Sequence, residues 1–501
     1  MREPASGVDA VSRVGGISFR EDEPGAAPME EALPRFARWW RRPAHLGALA
    51  LADLGSLAAS LLIAYALWAG GRLGQPLSLY LDLSPFLLMF PIVCAVAGLY
   101  PGFGLGPVAT LKRLSISVTI FFVMLVVVTF ALKLPDLYSR ATFGLAWLLT
   151  LLVLPLVRSA LVLSAVRLGW WGEPVAIVGN DEQLVGRVGD ELRRNPSRGY
   201  RPVAALRPDR ESWSGRGSEL PVYPLARAPE LARRGVKAAV LVQDVFTLGP
   251  NGTELRDRFE HVIVVCGPSE LPVEHVEAHN LGMMLGIDYS DQLLRRGNRI
   301  IKRALDLLFG LVGAGLAVPL IAILALAVRI ASRGPAFFVH EREGLRGRPI
   351  RIRKLRTMYL DADERLRQHL EQVPEARQEW ERSFKLRADP RVVPIVGTFL
   401  RRFSLDELPQ LFSVVRGEMS LVGPRPFPYY HLRKFDAPFR ELRRQVRPGL
   451  TGLWQITVRS DSSIVDHEMY DTYYIRNWSL WLDVYIAART VAAVITGRGA
   501  Y

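Results

Sequence analysis

IIKRALDLLFGLVGAGLAVPLIAILALAVRIA, residues 300–331, is the stretch that decides the architecture of this chain. Basic residues cluster at both of its ends, with Arg295, Arg296, Arg299, Lys302 and Arg303 around its start and Arg329 and Arg333 around its end. Because basic residues beside membrane segments stay in the cytoplasm, both ends are expected on one side. Pro319 removes a backbone donor and predicts a break near the middle. The sequence therefore predicts a re-entrant membrane helix hairpin over 293–333, although length alone also permits an ordinary spanning helix.

Four further apolar segments precede this stretch, at about 45–69, 84–100, 114–132 and 143–166. Most approach the ~20 residues that cross a bilayer core, and the second, with Pro85 and Pro91, is the weakest. Flanking basic residues are Arg35, Arg38, Arg41, Arg42, Lys112, Arg113, Arg158 and Arg167. They predict a four-helix transmembrane unit at 35–170 with both ends cytoplasmic. Residues 1–34 lack an apolar core and are predicted to be a disordered tail.

Residues 171–292 have a different character, in which short β-rich runs alternate with polar, helix-like stretches. This alternation predicts a Rossmann-like α/β cytoplasmic domain with a parallel sheet. The run PVAIV leads into GNDEQLVG, which resembles a dinucleotide-binding turn but lacks the full GxGxxG pattern. A structural or assembly role is therefore favoured over cofactor binding, and both remain open.

The composition suits a membrane-bound protein that handles anions. Half of the 501 residues are hydrophobic, yet the formal net charge is +14. The two cysteines, Cys94 and Cys266, lie in apolar runs and are predicted to be buried thiols, which excludes a disulfide framework. The eight histidines show no zinc-ligand spacing. No nucleic-acid partner is expected.

The segment 400–411, LRRFSLDELPQL, carries the sharpest chemical signal. Locally, Ser404 and Glu407 have the spacing of a capping box, so a helix is predicted to start here with ordinary capping carboxylates. Pro409 distorts such a helix where the acids lie, which capping does not require. Arg401 precedes Asp406 and Glu407, so anion-binding groups and carboxylates meet on one short segment. This mixture suits phosphoryl chemistry, in which one carboxylate attacks phosphorus and a second holds Mg2+.

Other basic and aromatic motifs lie in the same C-terminal region, 334–501, which is predicted to be a mainly helical catalytic domain at the membrane interface. Residues 341–358 hold seven Lys/Arg against two Glu, and predict either a lipid-headgroup face or a phosphate-binding surface. In GEMSLVGPRP, 417–426, Arg425 stands between two prolines, a stiff placement for a guanidinium. RPGLTGLWQI, 447–456, offers Trp454 as an aromatic platform.

Several motifs occur in the order seen in one known family: KRALD (302–306), KLRTM (354–358), KLRADPR (385–391), LRRFSLDELPQL, GEMSLVGPRP, PGLTGLWQ (448–455) and YIRNWSLWLD (474–483). Over about 295–501 the chain resembles the bacterial sugar transferases, the polyprenol-phosphate phosphoglycosyl transferases with a re-entrant membrane helix. The complete layout resembles the large members of that family, and EARQEWERSFKLRADPR, NWSLWLD and the terminal GAY look closer to the undecaprenyl-phosphate galactose type than to the glucose type.

The resemblance implies roles for particular residues. Asp406 matches the family nucleophile and Glu407 the Mg2+-binding partner, while Arg401 and Arg425 match arginines associated with the phosphates. Further motif positions whose roles are not assigned are Lys354, Arg356, Asp389, Arg391 and Arg459. The chain departs from the family pattern at Val318 before Pro319, at Leu355 in KLRTM and at Val458 before Arg459. These departures concern the local geometry at the break and near Arg459.

The implied reaction transfers a hexose 1-phosphate, galactose before glucose, from a UDP-sugar to undecaprenyl phosphate and releases UMP. It would occur on the cytoplasmic face of the bacterial inner membrane, as the first membrane step of O-antigen, capsule or exopolysaccharide synthesis. The sequence leaves the hexose and a homodimer open. The rival functions are a metal-dependent glycosyltransferase that releases UDP, a nucleotide-sensing membrane scaffold, and a transporter. A transporter is disfavoured because the first four apolar segments carry almost no interior charge.

Overall fold

The computed structural model describes residues 41–131, 138–207, 220–243, 255, 258–266, 277–281, 284–288, 292–383, 386, 389–433, 435–457 and 464–496. The predicted tail at 1–34 and Arg459 lie outside these residues, and so does the side chain of Cys266. Cys94 is buried and free, as predicted. The chain divides into two compact units, one within 1–106 and 113–269 and the other within 107–112 and 270–501. The boundaries of the predicted segments stay predictions.

Five helices in the described residues are long and apolar enough to cross a membrane: Ala44–Gly70, Leu77–Val96, Pro107–Phe130, Arg140–Arg167 and Arg296–Ala331. They correspond to the four predicted apolar segments and to the stretch at 300–331. The second is divided into the short helices Leu77–Leu81, Ser84–Leu87 and Met89–Val96, in keeping with its two prolines. The chain is thus a membrane protein, whereas the four-helix arrangement and its sidedness stay predictions.

One buried ion pair lies among the apolar helices of the first unit. Arg158 Nη1 donates to Asp53 Oδ2 at 3.0 Å, and the hydroxyl of Tyr100 donates to the same oxygen at 2.6 Å. The two charged side chains are 6% and 0% exposed, and they join the helix Arg41–Ala64 to the helix Arg140–Arg167. The interior charge of these segments is therefore small but present, and the two charges compensate each other.

The α/β part of the first unit is a parallel sheet, as the alternating pattern predicted. In its described residues the sheet has five strands, in the order β3-β2-β1-β4-β5. The strands are β1 (Glu173–Val178), β2 (Tyr200–Arg207), β3 (Val222–Pro224), β4 (Ala238–Gln243) and β5 (His261–Cys266). The helices Glu182–Arg194 and Ala228–Arg233 follow β1 and β3. After β1, Asp181 accepts hydrogen bonds from the backbone N–H groups of Gln183 and Leu184. These donors, which a bound phosphate would need, are therefore already occupied, and this favours a structural role.

The second unit begins, in its described strands, with the antiparallel pair β6 (Glu277–Leu281) and β7 (Met284–Asp288), and continues into the helix Arg296–Ala331, called here the 36-residue helix. This helix continues through Pro319. The prediction that the helix is interrupted near its middle is therefore wrong. A proline can bend a helix without ending it, because only one intrahelical hydrogen bond is lost. The re-entrant course therefore requires a bend within a continuous helix, and it stays a prediction.

The 36-residue helix packs along its length on the rest of the second unit. Near its start, Arg303 donates to the carbonyls of Val414 and Val415 at 2.7 and 2.9 Å. At its middle, a β-carbon on Gly310 would lie 3.1 Å from Cγ1 of Val414, so the glycine permits close approach. At its end, Arg356 donates to the Ser332 carbonyl at 2.7 Å.

The remaining elements of this unit are short, as predicted for a mainly helical domain. An antiparallel hairpin joins β8 (Phe337–Glu343) to β9 (Pro349–Leu355), and β10 (Ser420–Val422) pairs in parallel with β11 (Gly449–Thr451). The helices are Ala362–Gln372, Pro374–Ser383, Val396–Arg402, Leu411–Arg416, Tyr429–Leu432, Ala437–Arg444, Leu453–Thr457, Ile464–Arg476 and Leu480–Thr496. A 3₁₀ turn at Leu405–Gln410, called here the acidic turn, carries the two candidate carboxylates.

Candidate active site

A cavity of about 450 Å³ in the second unit collects most of the predicted site residues. Its walls come from β8 and β9, the KLRTM segment, the acidic turn, and the loops around Arg425 and β11. The predicted residues that line it are Lys354, Arg356, Arg391, Arg401, Asp406, Glu407 and Arg425. Motifs that are far apart in the sequence thus meet at one place.

The acidic turn does not form the capping box that its local sequence predicted. Ser404 has a left-handed backbone, with φ 51°, and its side chain makes no capping hydrogen bond. Pro409 explains the difference, because an α-helical hydrogen bond from this position is impossible and its ring would clash with the Leu405 carbonyl. The segment Leu405–Gln410 therefore forms a 3₁₀ turn. Glu407 is consequently free to bind another part of the chain.

Lys354 holds the two carboxylates together. Its Nζ lies 2.5 Å from Oε1 of Glu407 and 3.9 Å from Oδ2 of Asp406. Burial raises the pKa of Asp406, although the Lys354 charge opposes this shift. Burial also acts to raise the pKa of Glu407, but the charges of Lys354 and Arg425 outweigh it and hold that pKa below its usual range. The two neighbouring acids are thus held in different electrostatic environments, which permits different roles.

Two arginines face the acids from fixed positions. Arg401 donates from Nε to Oγ1 of Thr357 at 3.0 Å, and its charge acts on Asp406. The guanidinium of Arg425 lies over the ring of Trp454, 5.5 Å from its centroid. The carbonyl of Arg425 accepts a hydrogen bond from Arg443. These contacts fix two guanidinium-bearing residues on the wall of the cavity, an arrangement that suits the binding of a phosphate.

Other predicted residues have partners of their own. Arg391 forms a bidentate pair with Asp389, at 2.8 and 2.7 Å, so much of its charge is already neutralised. Arg356 is buried, with 6% of its surface exposed. Its side chain donates hydrogen bonds to the carbonyl and the hydroxyl of Ser332, just after the end of the 36-residue helix. Arg356 thus ties this helix to the KLRTM segment, which also carries Lys354 and Thr357.

The structure adds polar residues that the sequence did not single out, among them His340, Arg342 and Thr357. His340 and Arg342 line the cavity from β8, and the Arg342 charge acts on Glu407. Their signal was available, because Phe338, His340 and Arg342 alternate along one strand and therefore share a face. Thr357, which orients Arg401, gave no such signal, since the contact spans 44 positions.

The donor set fits Mg2+ only when substrate completes it. The described residues contain no group of three or more His, Cys, Asp or Glu side chains arranged to hold a metal. They do place Asp406 and Glu407 around one cationic group, the ammonium of Lys354. Mg2+ typically binds one or two carboxylates and takes its other ligands from substrate phosphates and water. Glu407 is the residue that would hold it, and Asp406 beside it remains the candidate nucleophile.

Comparison with known proteins gives the family. The model of the bacterial sugar transferase family matches residues 297–497. An uncharacterized sugar transferase of Haemophilus influenzae is 31% identical over 73% of this chain and 79% of its own. The undecaprenyl-phosphate galactose phosphotransferase of Salmonella typhimurium is also 31% identical, over 73% of this chain and 77% of its own. The chain belongs to the bacterial sugar transferase family.

Relatives of this sugar transferase differ in the sugar that their names specify. The UDP-glucose:undecaprenyl-phosphate glucose-1-phosphate transferase of Caulobacter vibrioides is 41% identical over 40% of this chain and 72% of its own. The predicted family, its large form and the enzyme class are therefore confirmed. In this sugar transferase the cavity lies wholly within the matched region, because its lining residues fall between Phe338 and Gln455.

Proposed function

We propose that the enzyme transfers a hexose 1-phosphate from a UDP-sugar to undecaprenyl phosphate, releasing UMP, through a covalent intermediate on Asp406. The observation that carries this proposal is the cavity in which Asp406, Glu407 and Lys354 meet Arg401 and Arg425. Such a cavity pairs a carboxylate nucleophile with several fixed cations, as displacement at a diphosphate requires.

The first step forms a bond between a carboxylate oxygen of Asp406 and the β-phosphorus of the UDP-sugar. The bond from this phosphorus to the bridging oxygen breaks, and UMP leaves with the electron pair. In the second step a phosphate oxygen of undecaprenyl phosphate attacks the same phosphorus. The bond to Asp406 breaks, the carboxylate is regenerated, and the hexose stays joined through a diphosphate to the lipid.

The charged residues of the cavity have separate tasks in these steps. Arg401 and Arg425 bind the phosphoryl oxygens, on which negative charge accumulates. Lys354 lowers the pKa of Asp406 against the effect of burial and so favours the ionised nucleophile. When bound by Glu407 and the diphosphate, Mg2+ would supply further charge neutralisation.

The role of Glu407 predicts the behaviour of one variant. Glu407→Gln should be severely impaired in turnover, and additional Mg2+ should recover part of that turnover. Full activity of Glu407→Gln at an ordinary Mg2+ concentration would contradict this role.

Galactose is the first sugar to test, because EARQEWERSFKLRADPR, NWSLWLD and GAY resemble the galactose type. Glucose is the second, since relatives include a UDP-glucose enzyme. The decisive assay incubates purified protein with undecaprenyl phosphate, Mg2+ and each UDP-sugar, and measures the nucleotide released. UMP supports the proposal, whereas UDP would indicate a glycosyltransferase that leaves no phosphate on the product.

The same proposal places the site at the cytoplasmic face of the inner membrane, where a soluble nucleotide sugar and a lipid phosphate both reach it. Hydrogen bonds join Arg303, near the start of the 36-residue helix, to Val414, and Ser332, just after its end, to Arg356. Both ends of the helix therefore contact the same unit, which supports a helix that enters and leaves the membrane by one face. Cysteines at positions 296 and 333 should then both react only with reagent added from the cytoplasm. Periplasmic labelling at 333 would contradict the re-entrant course. The product would begin the synthesis of an O-antigen, a capsule or an exopolysaccharide.

A further inference from the structure

One wall of the cavity changes from apolar to basic along its length. Phe338, His340 and Arg342 alternate on β8 and all line the cavity. Phe338 is the register partner of Lys354 on β9, next to the reaction centre. Arg342 lies four residues farther along, which is about 14 Å in an antiparallel strand. The two ends of this wall therefore favour different chemical groups.

A second exposed apolar residue joins the apolar end. Leu360 lines the cavity and is 69% exposed, and Phe338 is 55% exposed. A β-carbon placed on Gly334 would lie 2.9 Å from Cδ1 of Leu360. Gly334 follows the last residue of the 36-residue helix by three positions, so Leu360 lies beside the end of this helix. The apolar end of the cavity is thus continuous with a membrane-capable helix.

We propose that Phe338 and Leu360 form the subsite for the isoprenoid chain of the acceptor lipid where it leaves the cavity. This inference rests on the proposed function, since it assumes a lipid phosphate as acceptor. The phosphate must reach Asp406, and the chain attached to it must remain in apolar surroundings. Phe338 and Leu360 provide such surroundings between the acids and the end of the 36-residue helix.

The basic end is suited to the other substrate. Arg342 and Arg425 both act electrostatically on Glu407, and they can bind the diphosphate of a nucleotide sugar. A nucleotide sugar has no long apolar chain that would require Phe338 or Leu360. The non-reacting parts of the two substrates therefore extend toward opposite ends of the cavity. Their phosphates use the same place in turn, because the acceptor phosphate attacks from the side that UMP has left.

The test uses three variants, Phe338→Asn, Leu360→Asn and the double variant that carries both changes, and compares them with the control Met469→Asn. All are made in the full chain and assayed in detergent micelles. Met469 is a matched control, because it is 54% exposed in the same unit and does not line the cavity. Asparagine removes the apolar side chain without adding charge. For each single variant the KM for undecaprenyl phosphate should rise about tenfold or more, as expected when one apolar side chain loses its contact. The kcat and the KM for the UDP-sugar should change little, and Met469→Asn should behave as wild type.

Three results would overturn the subsite. The KM for undecaprenyl phosphate could stay unchanged in micelles, or rise equally in Met469→Asn. The only change in the variants could also be that less protein is recovered bound to phospholipid vesicles. That result would indicate that the two side chains contact the bilayer and not the acceptor. Exchange of labelled UMP into UDP-sugar without acceptor separates the two proposals, because it tests the first step alone. Its absence in the wild type would contradict the covalent mechanism, whereas its retention in the variants is expected from the subsite.

Discussion

Two clusters in the second unit contain the same kinds of residue, a lysine and two carboxylates, but differ in their surroundings. In the anchor cluster, Lys302 lies 2.7 Å from Asp483 and 3.6 Å from Asp306. In the reaction cluster, Lys354 lies 2.5 Å from Glu407 and 3.9 Å from Asp406. The lysine-to-acid distances are similar, so distance alone does not distinguish a structural cluster from a reactive one.

The clusters differ in how completely their carboxylates are hydrogen-bonded. In the anchor cluster, Asp306 accepts from the Ser420 hydroxyl and the Leu421 N–H, and Asp483 accepts from Tyr474 and Trp478 as well as Lys302. In the described residues, Asp406 accepts no side-chain hydrogen bond, and it lines a cavity. A carboxylate whose oxygens are fully hydrogen-bonded stabilises the fold. A carboxylate that keeps free acceptor positions beside cations is available to a substrate.

The largest expected effect concerns the nucleophile. Asp406→Asn should lower kcat by roughly a thousandfold or more, because an amide is a far poorer nucleophile of similar size. Its thermal unfolding should change little, since the carboxylate has few partners to lose. Asp306→Asn should show the opposite pattern, with a lower unfolding temperature and kcat within about tenfold of wild type for the folded protein. Equal losses of kcat in both variants would remove the distinction between the clusters.

A smaller effect is expected from the lysine of the reaction cluster. Asp406 attacks only when ionised, and burial raises its pKa while Lys354 lowers it. In Lys354→Gln this pKa should rise further, so activity should be lost at a higher pH than in wild type as the solution is acidified. At neutral pH we expect a loss of about 10- to 100-fold.

The measurement is kcat/KM as a function of pH for wild type, Lys354→Gln and Lys237→Gln. Lys237 is a matched control, because it pairs with Glu260 on the surface of the other unit. An acidic limb that stays in place in Lys354→Gln would show that Lys354 does not control the ionisation of Asp406.

The lysine of the anchor cluster should affect stability more than turnover. Lys302→Met leaves two buried carboxylates without their cation, which costs about 3–5 kcal/mol in comparable pairs. Arg351→Met is the control, since Arg351 and Glu341 form a surface pair with side chains 78% and 59% exposed, and should cost about 0–1 kcal/mol. Thermal unfolding in detergent measures both. Unchanged unfolding with lost turnover in Lys302→Met would assign Lys302 to the reaction.

The parts of the fold that follow from local patterns were predictable. The apolar segments and the parallel sheet depend on hydrophobicity and its period, which are visible in short windows of sequence. The order of the motifs also placed Asp406, Glu407, Arg401 and Arg425 in one region, and the structure brings them to one cavity. Their roles in the reaction stay proposals.

The parts that depend on distant contacts were not predictable. The capping box failed because Pro409 removes one of the few hydrogen bonds that a short α-helical turn would have and because Glu407 binds Lys354, which is 53 positions away. The expected interruption at Pro319 failed because one lost hydrogen bond does not end a helix packed along its length. Likewise, KLRTM gave no sign that Arg356 binds the end of that helix while Lys354 faces the acids.

The central claim, a covalent intermediate on Asp406, is tested most directly by exchange in the absence of acceptor. Purified enzyme, Mg2+, UDP-galactose or UDP-glucose, and labelled UMP are incubated without undecaprenyl phosphate. If Asp406 carries the hexose phosphate, the first step is reversible and label should enter the UDP-sugar with wild type but not with Asp406→Asn. Normal lipid-dependent turnover without any exchange, together with a substantially active Asp406→Asn enzyme, would contradict the account and favour direct attack by the lipid phosphate.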